Sequence, residues 1–94
     1  MVEKAYDIME EMEEELEDAE EYALWAAECA RHNSSHASTL MSIAEDELKH
    51  FEKLGEILKS YKGFGEDMQE YIDKKHAHML KKHAKVKYML SNLH

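Results

Sequence analysis

Proline is absent from this sequence, and glycine and cysteine are scarce, with three and one among 94 residues. Because proline and glycine interrupt helices, their scarcity indicates long helices throughout the chain. The single Cys29 has no partner for an internal disulfide, which favours a reducing compartment. No apolar run is long enough to span a bilayer, and the N-terminal segment is too charged for a signal peptide. We therefore expect a soluble, cytoplasmic, all-α protein.

Basic residues are also in the minority, with 12 Lys and Arg against 21 Asp and Glu and a formal net charge of -9. This charge argues against binding to nucleic acids or to an anionic membrane, and it is compatible with the attraction of cations. The length allows one small domain over residues 1–94, whose core leaves little stability to spare without a partner chain or a metal.

Residues 2–31 have the apolar periodicity of one long helix. Apolar residues recur in alternating steps of three and four, typical of a helix packed along another helix: Val2, Ala5, Met9, Met12, Leu16, Ala19, Ala23, Ala26 and Ala30. Most are alanine, so the partner helix is able to approach closely. A bordering row contains a single charged residue, Glu15, among Met1, Ile8, Tyr22 and Cys29. The other acids lie mainly in two outer rows: Asp7, Glu14, Glu21 and Glu28, and Glu3, Glu10 and Glu17.

Residues 36–61 predict a second helix with two ionisable residues on its apolar side. We expect four heptad rows to be buried: Leu40, Glu47, Leu54 and Tyr61; Ile43, His50 and Ile57; Ala44, Phe51 and Leu58; Met41, Leu48 and Gly55. Glu47 and His50 are three residues apart and so lie on the same side of the helix, where one metal ion can bind both. A buried carboxylate must be neutralised, paired or bound to metal, because an uncompensated charge costs on the order of several kcal/mol.

The short connections predict the arrangement of the helices. Residues 32–35 form a turn in which Ser34 or Ser35 caps the second helix, so the first two helices form an antiparallel hairpin. A linker at residues 62–65, in which Gly63 suits a left-handed cap, leads to a third helix over residues 66–93. Its one clean apolar row predicts looser packing, or packing on another subunit: Ile72, Met79, Val86 and Leu93. Its lysines are expected beside the acidic first helix: Lys74, Lys75, Lys81, Lys82, Lys85 and Lys87.

Two segments of the chain resemble a known family. The string from Glu14 to Glu17 followed by Tyr22, then a short turn, then Asp46-Glu47-Leu48-Lys49-His50, is similar to the ferritin-like di-iron proteins, especially the encapsulated ferritins. The resemblance covers roughly residues 14–61. It implies a short hairpin protomer that dimerises into a ferritin-like four-helix bundle with ferroxidase activity, which is an oxidoreductase function.

The same resemblance implies roles for single residues. Glu15, Glu47 and His50 would be iron ligands and catalytic residues, with Glu47 bridging two metals and the other two terminal. Tyr22 would be a hydrogen-bond partner behind the ligands. Glu14 and Glu17 would be residues of metal entry. No C-terminal segment resembles an encapsulin-targeting peptide, so an encapsulin shell is not expected as a partner.

Counting ligands leads to the same dimer. A ferritin-like di-iron centre takes one Glu from each of two helices and Glu-x-x-His from each of two others. One chain supplies half of this set, and a twofold homodimer, the commonest oligomer, supplies all of it. Carboxylates with few imidazoles suit iron, or alternatively manganese, and the lack of cysteine ligands argues against structural zinc.

The sequence leaves one alternative of another class. The chain can be a non-enzymatic helical assembly protein in which the Glu and His residues form a salt-bridged structural cluster. Short phage-encoded proteins carry a similar hairpin with a DELKH-like string. His76, His78 and His83 share no row with a carboxylate, so we interpret them as flanking or surface residues.

Overall fold

Three α-helices form the molecule, and no strand occurs among the described residues. The computed structural model describes the backbone of residues 2–93 and the side chains of residues 4–93. Helix α1 spans Val2–Arg31, α2 spans His36–Ser60 and α3 spans Glu66–Ser91. The predicted all-α class is confirmed. The predicted ends of α2 and α3 lie one and two residues too far, and α2 stops where Tyr61 turns to an extended backbone with φ -73° and ψ 137°.

The turn between α1 and α2 closes with hydrogen bonds typical of a helix C-terminus. Asn33 has a positive φ of 57°, and the Ser34 amide donates to the Cys29 carbonyl at 2.8 Å. This is a Schellman arrangement with asparagine in the position that glycine usually takes. Ser35 is the N-cap residue of α2 but makes no side-chain capping hydrogen bond, whereas the hydroxyl of Ser34, one residue earlier, accepts the His36 amide at 3.2 Å.

The interface between α1 and α2 is the main part of the core. The predicted seam of α1 is buried from Ala5 to Ala26, and Ala19, Ala23 and Ala26 are completely inaccessible. Across it lie the buried residues of α2: Met41, Ala44, Leu48, Phe51, Gly55 and Leu58. Small alanines on α1 thus face larger side chains on α2, which allows close packing of the two helices. Ala30, at the end of the predicted seam, is exposed, and the side chains of Met1 and Val2 lie outside the described residues.

Helix α3 packs on one side of this hairpin and runs parallel to α1. Lysines of α3 pair with acids of α1: Lys75 with Glu13, Lys82 with Glu20 at 3.7 Å, and Lys85 with Glu20 at 3.1 Å. The predicted approach of the basic third helix to the acidic first helix is confirmed. Apolar packing of α3 uses four buried residues: Ile72, Met79, Val86 and Leu90.

Gly63 has a positive φ of 88° in the linker to α3, as the sequence predicts. It lies three residues beyond the end of α2, so it shapes the linker and Tyr61 occupies the cap position. None of the helices, within residues 2–93, is both long enough and apolar enough to cross a membrane.

Candidate metal centre

The structure brings together the three ligand candidates that the sequence indicates. Glu15 lies halfway along α1, and Glu47 and His50 lie halfway along α2. One ligand atom from each lies within 4.8 Å of the other two. Antiparallel packing of two helices of similar length places their midpoints side by side, which explains why residues 32 positions apart meet.

The cluster of Glu15, Glu47 and His50, named here the Glu/His cluster, has short internal distances. The His50 Nδ1 atom lies 3.4 Å from Glu15 Oε2 and 3.9 Å from Glu47 Oε1. Ligand atoms around one ion with bonds of about 2.1 Å are at most about 4.2 Å apart. Small side-chain movements would therefore bring the three ligand atoms to bonding distance from one ion.

The charges of the cluster are incompletely compensated. A hydrogen bond shared with Glu15, burial, and the negative charge of Glu15 together raise the pKa of Glu47 to about 7, while His50 opposes the rise. The buried Glu15 Oε2 atom accepts no hydrogen bond of good geometry among the described residues, although His50 Nδ1 lies 3.4 Å from it. Such an oxygen is destabilising by roughly 1–3 kcal/mol, and a cation would relieve this. No lysine or arginine of the described chain forms an ion pair with the cluster.

One ligand is more accessible than the sequence predicts. The His50 side chain is 53% exposed, whereas Glu15 and Glu47 are 18% and 20% exposed. The whole row is wrongly predicted as buried, since Ile57 is 45% exposed and Ile43 is half-buried. The row lies at the edge of α2 that α3 does not cover.

The cluster lies on the side of the hairpin opposite α3, named here the hairpin face. Glu13 and Glu17 of α1 point towards α3, and Glu15, two residues from each, points the other way. Half-buried apolar residues continue the heptad rows of the cluster along the two helices: Ile8, Tyr22, Cys29, Leu40, Ile43 and Leu54. A small apolar depression lies at the turn end of the face, lined by Trp25, Cys29, His36, Thr39 and Leu40.

Tyr22, Glu14 and Glu17 are the remaining residues that the sequence predicts for the site. The Tyr22 ring packs on Trp25 with centroids 6.1 Å apart, and no hydrogen bond joins its hydroxyl to the cluster among the described residues. Glu14 and Glu17 are exposed, and Glu17 lines the groove between α1 and α3. Repulsion from Glu11, with smaller effects including those of Glu10 and Asp18, raises the pKa of Glu14.

Two acidic residues near the cluster, Glu11 and Asp18, are not among the site residues that the sequence predicts. Glu11 and Asp18 lie four residues before and three residues after Glu15, and both are exposed. Residues at these spacings share a helix side, so both flank the cluster from solvent. Their spacing of four and three residues from Glu15 is the sequence feature that indicates this position.

Two of the three histidines of α3, His76 and His83, are partly buried. The His83 ring stacks on Phe51 at 5.2 Å, and the His76 ring lies 6.3 Å from Phe51 at a tilt of 59°. Burial, followed by the charge of Lys59, lowers the pKa of His76. His78 is a surface residue, and His76 and His83 flank the buried row of α3 and pack beside Phe51 of α2, in agreement with the interpretation as flanking or surface residues.

The fold and the cluster define a class: a small three-helix protein with a Glu/His group able to hold a metal ion. No family model matches the chain, and neither a curated protein nor a solved structure is similar to it.

Proposed function

We propose that this chain is an iron-binding, ferritin-like protein in which two copies form one di-iron site that oxidises Fe(II) to Fe(III). The observation that carries the proposal is the convergence of Glu15, Glu47 and His50 within 4.8 Å without a lysine or arginine partner. Two carboxylates and one imidazole are half of the ligand set of a di-iron carboxylate centre.

The hairpin face supports a dimeric site. In a single protomer Ile57 is 45% exposed and Trp25 is 54% exposed. Both residues lie on or beside the hairpin face. Covering this face with a second hairpin would bury that apolar surface and would place a second cluster against the first. Each copy then supplies one Glu and one Glu-x-x-His, and the cations neutralise four carboxylates in one core.

The chemistry requires residues that bind metal and release protons. Glu47, with a pKa of about 7, gives up its proton when a cation binds, because metal binding displaces protons from its ligands. Oxidation of two Fe(II) ions releases two electrons, which dioxygen accepts with two protons to form hydrogen peroxide. The exposed edge of His50 leaves the site open to incoming ions, and the flanking Glu11 and Asp18 attract them.

A second candidate is the non-enzymatic assembly protein. It is favoured by the ion-pair distances of His50 to Glu15 and Glu47, which a structural cluster would also show. In this case the cluster fixes the register of the hairpin, and metal has no role.

Metal uptake and oxidation distinguish the two candidates. Purified protein is given Fe(II) without oxygen, bound iron is counted, and Fe(III) absorbance is followed after oxygen is admitted. We expect about one iron per chain, since a dimer holds two. Glu15→Ala and Glu47→Ala should each slow oxidation by at least about tenfold, because even loss of a residue behind a ligand has such effects.

Glu28→Ala is the matched control for the first substitution. Glu28 is an exposed acid on the same helix, distant from the cluster, so its loss should leave oxidation unchanged. Equal rates in Glu15→Ala and Glu28→Ala would reject the ferroxidase proposal. Iron uptake that is unchanged in Glu47→Ala would favour the assembly protein.

A further inference from the structure

Two charged stripes lie on the outside of α1 and α3. The acidic stripe is Glu10, Glu14, Glu17 and Glu21, and the basic stripe is Lys74, His78, Lys81 and Lys85. All eight residues are exposed. Both stripes have steps of four, three and four residues, so each follows one side of its helix over nearly the same length.

Both stripes border the same groove. Glu17 from the acidic stripe and Lys74 and His78 from the basic stripe line the groove between α1 and α3. A flat partner on this side of the molecule would therefore contact both stripes at once. This surface is separate from the hairpin face, which carries the Glu/His cluster.

The acids of the acidic stripe are not neutralised within the protomer. None of the four acids forms an ion pair, and His78 and Lys81 form none, among the described residues. Two lysines of the basic stripe are paired: Lys74 with Glu70 at an exposed i, i+4 position, where such pairs contribute little, and Lys85 with Glu20 of α1 at 3.1 Å.

The two stripes are also nearly level along the helix axes. The pairs Glu13 with Lys75 and Glu20 with Lys82 place each residue of α1 beside the residue 62 positions later in α3. Stripe partners differ by 64 positions, which is an axial offset of about 3 Å. A lysine side chain spans this offset easily.

We propose that two copies of this chain associate through these stripes, about a twofold axis parallel to the helices. The acidic stripe of each copy then lies against the basic stripe of the other. A twofold axis across the helices would instead oppose acid to acid, so the charge pattern selects one orientation. The expected pairs are Glu10 with Lys74, Glu14 with His78, Glu17 with Lys81 and Glu21 with Lys85. This contact goes beyond the proposed metal function and does not depend on it.

Salt dependence of the mass in solution is the first test. Screening lengths fall from about 30 Å in 0.01 M salt to about 3 Å in 1 M salt. The mass of the wild-type assembly should therefore at least double in the low salt relative to the high salt. An apolar dimer through the hairpin face would persist in both conditions. An identical mass in both salts would overturn the proposal.

Charge reversal is the second test. Lys74→Glu/Lys81→Glu should stay at its high-salt mass when salt is low, and so should Glu10→Lys/Glu17→Lys. A mixture of these two variants should recover the larger mass, because each then offers the other complementary stripes. The control is Lys62→Glu/Lys87→Glu, which has the same net charge as the first variant but alters exposed lysines outside the stripe.

Circular dichroism of each variant separates loss of assembly from loss of folding. The mixture of the two charge-reversed variants tests the contact between the stripes directly. Recovery of the large mass supports the stripe contact, and failure of two folded variants to recover it rejects the contact. Salt-dependent assembly that survives both reversals would assign the interface to another surface and would equally reject it.

Discussion

Glu47 is the residue whose ionisation most affects the metal-free protein. Its pKa is raised from 4.5 to about 7, so the folded state holds a proton that the unfolded state releases above about pH 4.5. The resulting stabilisation is complete below pH 4.5 and is lost as pH rises through 7.

The metal-free wild type should therefore unfold more easily at about pH 8 than at about pH 5, by about 1 kcal/mol, since solvent weakens the full effect of the shift. Glu47→Gln keeps the shape without the charge and should remove most of this pH dependence. Urea unfolding at both pH values measures it. Glu56→Gln, an exposed acid of α2, is the control. A metal-free Glu47→Gln protein that is several kcal/mol less stable would show that Glu47 is paired within the protein.

His50 should matter more for metal binding than for folding. Its side chain is half exposed, so His50→Ala should change the free energy of unfolding by less than about 0.5 kcal/mol. Loss of the imidazole ligand should weaken Fe(II) or Mn(II) binding by at least about tenfold. Calorimetric titration and circular dichroism measure the two effects, with the exposed His78→Ala as control. Lost helicity with unchanged iron uptake would indicate a structural role.

Gly55 and Gly63 should respond in opposite ways to substitution by alanine. Gly55 is buried inside α2, and a Cβ there would lie 3.5 Å from His76 Nε2 and from Met12 Cε, an ordinary contact distance. Gly55→Ala should therefore stabilise the protein by about 0.5–1 kcal/mol, because alanine loses less backbone freedom on folding.

Gly63→Ala is the contrasting substitution. The open space around Gly63 accommodates a Cβ, but its φ of 88° is unfavourable for any residue with a side chain. The variant should lose about 1 kcal/mol or more of stability. Thermal unfolding of the two variants side by side should thus give shifts of opposite sign. Destabilisation of Gly55→Ala would mean that the contact between α2 and α3 is tighter than these distances allow.

The sequence predicts the helices and their packed sides better than the exposure of residues at the border of a packed side. The alanine and methionine seam of α1 identifies the packed side, and Glu15, Glu47 and His50 follow from interruptions in apolar rows. The exposure of His50 and Ile57 did not follow, because a heptad row records one side of a helix and not whether another helix covers its border. The stacking of His83 on Phe51 depends on how α3 packs on α2. The lysines of α3 predict that this helix lies beside α1, but they do not predict its contact with α2.

Metal and association should be coupled in the whole molecule, if the proposed site is shared between two copies. A cation bound by both copies stabilises the dimer by mass action, so Fe(II) or Mn(II) should raise the dimer fraction in high salt. Sedimentation at several protein concentrations, without oxygen, measures this shift. Glu15→Ala should abolish it, and Glu28→Ala should retain it. A metal-independent dimer fraction would place the cation within single chains.

The position of Trp25 gives the molecule an intrinsic optical reporter. It is the sole tryptophan of the chain, is 54% exposed, and lines the apolar depression beside Leu40 at the turn end of the hairpin face. Indole emission shifts to shorter wavelength when water is excluded from the ring. Covering of the hairpin face can therefore be followed by fluorescence in the unlabelled protein.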